Sequence, residues 1–252
     1  MKTWMLALLG AGTIVAADAR AGAPATSLVT NGSFETPAIG GGFVGIGGGY
    51  NMNGWVVVNN LDLIQNFWAA AEGLQSLDLN GSSAGGVTQS FTSVPGTKYL
   101  VRYAVSENFY GYSDKTMDIL WNGAVVKSET IAHNPARTPT NMLWEYRQIV
   151  VTATTANSTL EFLSTTGPMN GSQGIAPYYG PALDDVTVTV APPPCPWDIN
   201  GDHTVNTFDL AILLGHFGQS VPNGTLGDIN GDGVVNTIDL GALVSHFGVP
   251  CP

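Results

Sequence analysis

The chain has 252 residues and a formal net charge of −11, from eight Lys and Arg against nineteen Asp and Glu. That balance excludes nucleic acid as a partner, because phosphate recognition needs clustered cations. A 44% apolar composition suffices for a packed core, and two cysteines limit any disulfide framework to a single bridge.

Met1-Lys2 precedes an apolar run from Trp4 to Ala17 and the small-residue sites Ala17-Asp18-Ala19 and Ala19-Arg20-Ala21. This pattern predicts a secretory signal peptide over residues 1–21. The run is shorter than the ~20 apolar residues a bilayer span requires, so no transmembrane segment is expected after signal cleavage. Cleavage after Ala21 removes Lys2, Arg20 and Asp18 and takes the charge to −12. The mature chain is expected to be secreted, extracellular or at the cell surface.

Residues 22–190 are rich in Gly, Thr, Ser, Asn and Val, with short alternating runs such as Lys98 to Val105 and Val186 to Val190. Pro95-Gly96 and Asn122-Gly123 mark tight turns between such runs. Strands separated by turns, with no long helical periodicity, predict an antiparallel β-sandwich. The phrases Asn31-Gly-Ser-Phe-Glu35, Gly54-Trp55, Glu72 to Gly81, Gln89-Ser-Phe91 and Gly180 to Val186 resemble the choice-of-anchor C family and, more broadly, galactose-binding-like jelly rolls. The resemblance implies a jelly roll with a structural calcium between its first and last strands, held by Glu35 and Asp184. Asp184-Asp185 reads equally well as a strand cap.

Glu72, Asp78, Glu107, Asp118 and Glu145 could in principle supply the acid and base of a glycosidase, but sequence alone does not pair them. No nucleophile elbow, phosphate loop, zinc-protease His pair or catalytic Cys occurs. The β domain is therefore expected to be a non-catalytic binding module. Tyr50, Tyr110, Tyr112, Tyr178 and Tyr179 lie in Gly- or Pro-rich loops, with Asn108, Asn170 and Gln173 as amide neighbours. They form a candidate rim for carbohydrate or cell-surface polysaccharide, since sugar recognition combines flat apolar faces with planar hydrogen-bonding groups.

Ala191-Pro192-Pro193-Pro194 reads as a stiff linker over 191–194, and all eight basic residues lie at or before Arg147. Residues 195–252 form a second expected domain. Cys195 and Cys251 bracket it, each followed by proline, and in an exported protein they are expected to pair.

Within this segment Asp198-Ile-Asn-Gly-Asp-His-Thr-Val-Asn-Thr-Phe-Asp209 returns thirty residues later as Asp228-Ile-Asn-Gly-Asp-Gly-Val-Val-Asn-Thr-Ile-Asp239. The spacing places oxygen ligands at positions 1, 3, 5, 7, 9 and 12 of an EF-hand-like loop. The first set is Asp198, Asn200, Asp202, the Thr204 carbonyl, Asn206 directly or through water, and Asp209. The second is Asp228, Asn230, Asp232, the Val234 carbonyl, Asn236 and Asp239. Oxygen-only shells of about seven donors suit calcium, so two calcium ions are expected. They would reduce the charge of these six aspartates from −6 to −2, which couples folding to metal binding. His203 stands at position 6, where EF-hands use glycine and where Gly233 sits in the second copy, so the first site is expected to be the weaker.

Each loop precedes an apolar set at helical spacing: Leu210, Leu213, Leu214 and Phe217, then Leu240, Leu243, Val244 and Phe247. Two amphipathic helices ended by Gly218 and Gly248 are predicted, packed on each other. Loop, single helix, linker, loop, single helix resembles a type I dockerin, and the Cys-Pro ends resemble its disulfide-closed C-terminal anchoring variant. The resemblance implies a cohesin-like partner contacted through loop positions 10 and 11, here Thr207-Phe208 and Thr237-Ile238. The fold class expected overall is mainly β, a jelly roll followed by a small α-helical calcium-binding domain. Three functions fit: a secreted binding protein, a glycoside hydrolase or accessory of a polysaccharide-degrading complex, and a structural envelope protein.

Overall fold

The computed structural model describes residues 26–172, 174–191, 195–222 and 224–251, so the expected signal peptide and Pro192, Pro193 and Pro194 of the expected linker lie outside the described residues. Two six-stranded antiparallel sheets face each other. One has the order β1 (Gly42–Gly47), β4 (Asn60–Gln65), β5 (Gln75–Asp78), β14 (Pro181–Val190), β7 (Lys98–Glu107), β10 (Glu145–Thr152). The other runs β2 (Asn51–Met52), β3 (Trp55–Val58), β6 (Gly86–Thr92), β11 (Asn157–Ser164), β8 (Lys115–Trp121), β9 (Ala124–Ile131). A separate hairpin joins β12 (Met169–Gly171) to β13 (Gly174–Ala176).

Strand alternation builds the core. Leu61 and Leu63 of β4, Leu77 of β5, Val101, Tyr103 and Val105 of β7 and Met117 and Ile119 of β8 turn inward, meeting the buried Trp55, Phe34 and Phe162. The antiparallel sandwich expected from turn spacing is the observed architecture. Asn122 and Gly123 both take positive φ (53° and 76°) between β8 and β9, the two-residue turn whose twist matches that of a hairpin.

In the C-terminal segment two α-helices follow the repeated loops, α1 (Thr207–Gly215) and α2 (Thr237–Ser245). Asn206 and Asn236 cap them, each accepting from the N–H two residues on, while Asp209 and Asp239 at N3 accept from the cap N–H in reciprocal capping boxes. The helices end at His216 and His246, not at the glycines; Gly218 and Gly248 lie two residues further on in positive φ. There the Gly218 N–H donates to the Val235 carbonyl and the Gly248 N–H to the Val205 carbonyl, so each helix exit is pinned to the other loop.

The buried stripe is narrower than the apolar pattern. Leu213, Leu243, Val205, Val235 and Cys251 form the small core with Leu210, Leu240 and Trp197 against it, whereas Leu214, Phe217, Val244 and Phe247 are exposed. Two nine-residue helices make one layer and offer no third layer to cover their outer faces. The Trp197 ring stacks on His246 at 3.5 Å, and Cys195 is bonded to Cys251 with Cα atoms 6.0 Å apart, closing the ends of the segment together.

Candidate functional site

The repeated loops are folded around their own carboxylates. Asp198 accepts from the N–H groups of Gly201, Asp202 and His203, and Asp209 from those of Ile199, Asn200 and Asn206. Asp228 and Asp239 repeat the scheme with Gly231, Asp232 and Gly233, then Ile229, Asn230 and Asn236. Asp209 and Asp239 are fully buried. In the first loop Asp198, Asp202 and Asp209 bring carboxylate oxygens within 4.8 Å of one another. The Asn200 amide beside Asp202 holds its carboxyl below the usual range, so it stays ionised beside two like charges.

Three converging carboxylates with no Lys or Arg in the segment, flanked by the side-chain oxygens of Asn200 and Asn206 and the Thr204 carbonyl, fit a hard divalent cation of calcium's size. Position 6 takes positive φ in both loops, 68° at His203 and 84° at Gly233, so His203 carries a conformation that glycine adopts freely. Thr207, Phe208, Thr237 and Ile238 sit in the first helical turns. Phe208 and Ile238 are among the most exposed apolar side chains, at 69% and 62%. Leu214 and Val244, six residues further on and about 120° around the helix axis, are exposed as well.

A second site lies on the outer face of the sheet that carries β4 and β5. Asp62 and Ile64 alternate with the core leucines of β4 and so point out of the sandwich, as does Asp78 of β5, which stands directly across from Asp62 in register. They floor a cleft of about 780 Å³ walled by Phe43, Phe67, Tyr110 and Tyr178. Phe67 links the wall, with ring centroids 5.3 Å from Phe43 and 5.7 Å from Tyr110. Asn108 donates to Asp78 Oδ2 and the Asn80 N–H to Oδ1. Burial raises the Asp62 carboxyl to about 6. Burial also pushes Asp78 well up, against the pull of those two donors and with the Asp62 charge adding to the rise.

The expected tyrosine rim is divided. Tyr110, Tyr178 and Tyr179 line the cleft, but Tyr179 is buried, because Gly111 and Gly171 leave room for its ring to pack flat against their backbones. Tyr50 and Tyr112 are exposed elsewhere, Tyr112 beside His133. Gln173 lies outside the described residues. Of the carboxylates considered for catalysis, Glu107 is buried against Lys115 and Arg137, Glu145 pairs with Arg137 and Arg147, and Asp118 accepts from Ser128. Asp78 alone of them is in the cleft, and Phe43 and Asp62 complete it without having been singled out by sequence.

Glu35 and Asp184 grip one loop from two sides. Glu35 Oε1 accepts from the N–H groups of Leu74 and Gln75, and Asp184 Oδ2 from those of Ala71 and Glu72. Gly73, at φ 65°, is required between them, since a Cβ there would overlap Glu35 Oε1. Burial lifts the Asp184 carboxyl to about 7 against the opposing amides of Glu72, Asp185 and Ala71.

The β-sandwich and the loop-helix duplication are matched by separate family models. Residues 196–248 match the type I dockerin domain. The chain belongs to the family described as "Protein of unknown function (DUF642)", matched over residues 27–189. No catalytic domain is among the matches. Solved structures similar to the chain include a family 35 carbohydrate-binding module from Clostridium thermocellum (16% identity, 54% of this chain and 92% of that one, TM-score 0.41). A family 35 module from Paenibacillus barcinonensis gives 17%, 59%, 99% and 0.38, and a xylan-binding domain from the same organism 20%, 66%, 95% and 0.38. A comparison with curated proteins gave no significant match.

Proposed function

We propose that this is a secreted, non-catalytic protein whose residues 195–252 bind two calcium ions and dock on a cohesin-like partner, while residues 22–190 hold a carbohydrate or cell-surface polysaccharide. The observation that carries it is the pair of like loop-helix units, each with carboxylates turned inward and an uncovered apolar helix face turned outward. Calcium would neutralise the repulsion among the loop carboxylates and fix the angle at which each helix leaves its loop. Asp198, Asn200, Asp202, the Thr204 carbonyl and Asp209 would hold the first ion, and Asp228, Asn230, Asp232, the Val234 carbonyl and Asp239 the second. Asn206 and Asn236 give their side-chain oxygens to helix caps, which favours contact through water.

Phe208 and Ile238, each exposed in the first turn of its helix, mark two equivalent docking faces. Either would serve, which allows two orientations on one partner. Dockerin-bearing proteins work outside cells, and the disulfide accords with export. No helix among the described residues is long and apolar enough to cross a membrane. A third, structural calcium between Glu35 and Asp184 would offset two carboxylates drawn to one loop.

The test is capture of secreted proteins on the immobilised full-length protein, with calcium and with chelator. A partner retained only with calcium is expected. It should survive Phe208→Asp or Ile238→Asp alone and disappear in the double variant. Calcium-independent capture, or full capture by the double variant, refutes the docking assignment.

The hydrolase alternative has one observation on its side, the Asp62 and Asp78 pair in the cleft. Release of reducing ends from a soluble polysaccharide, lost in Asp62→Asn, would replace binding by hydrolysis.

A further inference from the structure

Asp62 stands apart from the other buried or half-buried carboxylates of the β domain. Across the sheet its register neighbours are Gly45 on β1 and Asp78 on β5. Asp78 is held by Asn80 and Asn108, Asp184 by three backbone amides, Glu107 by Lys115 and Arg137. Among the described residues no hydrogen-bond donor reaches Asp62, and burial is the sole cause of its raised carboxyl. Gly45 leaves the space over it open; a Cβ there would lie 3.3 Å from Asp62 Oδ1. A half-buried acceptor without a donor, in the floor of an aromatic-walled cleft, is a place for a hydroxyl or amine of a ligand.

The cleft contains no Lys, Arg or His among its lining residues. Lys115, Arg137 and Arg147 of this domain are paired with Glu107, Glu129 and Glu145. A uronic acid, sulfate or phosphate entering the cleft would meet the Asp62 carboxylate and no cation among the lining residues, in a site where low-dielectric walls strengthen repulsion.

We propose that the cleft selects uncharged glycans over anionic ones, and that Asp62 is the residue that both accepts a sugar hydroxyl and enforces that choice. This rests on the carbohydrate assignment above and adds to it a ligand class and a specificity residue. The aromatic walls supply stacking that any sugar ring can use, so the discrimination comes from the floor.

The experiment uses the full-length protein in calcium with soluble glucan, xylan, galactan and mannan, each beside its carboxymethyl derivative and its uncharged hydroxyethyl derivative, which controls for the bulk of the substituent. At least one neutral polymer should bind, and its carboxymethyl form at least tenfold more weakly, with the gap narrowing in high salt. Asp62→Ala should weaken the neutral polymer about tenfold, in line with loss of a hydrogen bond to a charged group. Asp62→Asn, which keeps an acceptor and removes the charge, should narrow the gap between neutral and charged polymers. Thermal melts confirm that both variants are folded. Equal binding of both forms, or a gap unchanged by Asp62→Asn, overturns the selectivity proposal while leaving a carbohydrate site. Binding of no polymer overturns the carbohydrate assignment itself and this proposal with it, whereas binding undiminished by Phe43→Ala with Tyr178→Ala puts the carbohydrate elsewhere and overturns this proposal alone.

Discussion

Asp62 lies between Leu61 and Leu63, whose side chains fill the core while its own faces the cleft. Its folded carboxyl is raised to about 6 from 3.8, so the folded protein holds this proton more tightly than the unfolded chain does. Its contribution to stability is therefore present below about pH 3.8 and lost as pH rises through about 6. Asp62→Asn should melt above the wild type at pH 8, with the difference gone at pH 4; a gap that persists at pH 4 would remove burial of charge as its cause. Glu107 is the opposite case, a fully buried carboxylate meeting Lys115 Nζ at 3.0 Å and Arg137 at 3.1 Å, with His133 beside it. Lys115 is also held by the carbonyls of Gly111 and Ser113. Glu107→Gln leaves the buried Lys115 without its carboxylate and Arg137 with Glu145 alone, and should cost about 3–5 kcal/mol in urea denaturation, the penalty for breaking a buried pair by removing one partner. Neither role was legible in the sequence, where Asp62 was not singled out and Glu107 figured only among possible catalytic carboxylates. Asp62 occupies an ordinary outward position of an alternating strand, and Glu107 meets partners eight and thirty residues away whose approach only the folded sheets create.

The two loop-helix units were legible because their chemistry is local: six ligand positions within twelve residues, repeated with the same spacing, need no tertiary contact to be recognised. The same holds for the Asn122-Gly123 turn, where two adjacent residues must both take positive φ. The helix stripes were only half legible, since apolar spacing marks a face but not whether anything covers it; Leu213 is buried and Leu214 is not. At this scale calcium and position 6 make testable demands. Chelation should melt α1 and α2, read as lost far-ultraviolet helical signal together with a change in Trp197 fluorescence as its stack on His246 opens. His203→Gly should tighten the first site about fivefold in a calcium titration, corresponding to about 1 kcal/mol of relieved left-handed backbone. An unchanged or weaker first site would show that His203 bears no strain there.

For the molecule as a whole, the sequence made the class of architecture plain but not the cleft. Antiparallel strands follow from turn residues and alternation, yet the cleft is assembled from β1, β4, β5, the segment after β7 and the segment before β14, distant parts of the chain that sheet order alone brings side by side. The stability of the two matched segments should be equally divided by origin. The β-sandwich has a large core of aromatic and aliphatic side chains, whereas the C-terminal segment has five buried residues in its core cluster and depends on cross-links of other kinds. One is calcium. The other is the Cys195–Cys251 bond, which closes a loop of separation 56 and by chain entropy would contribute about 4 kcal/mol. Calorimetry of the full chain should accordingly give two transitions. Chelator should lower only that of residues 195–252, and reduction under calcium should lower that same transition while leaving the sandwich where it was. If both transitions moved together, the two segments would share one cooperative unit, and the picture of a self-sufficient sandwich carried by a metal- and disulfide-held plug would fail.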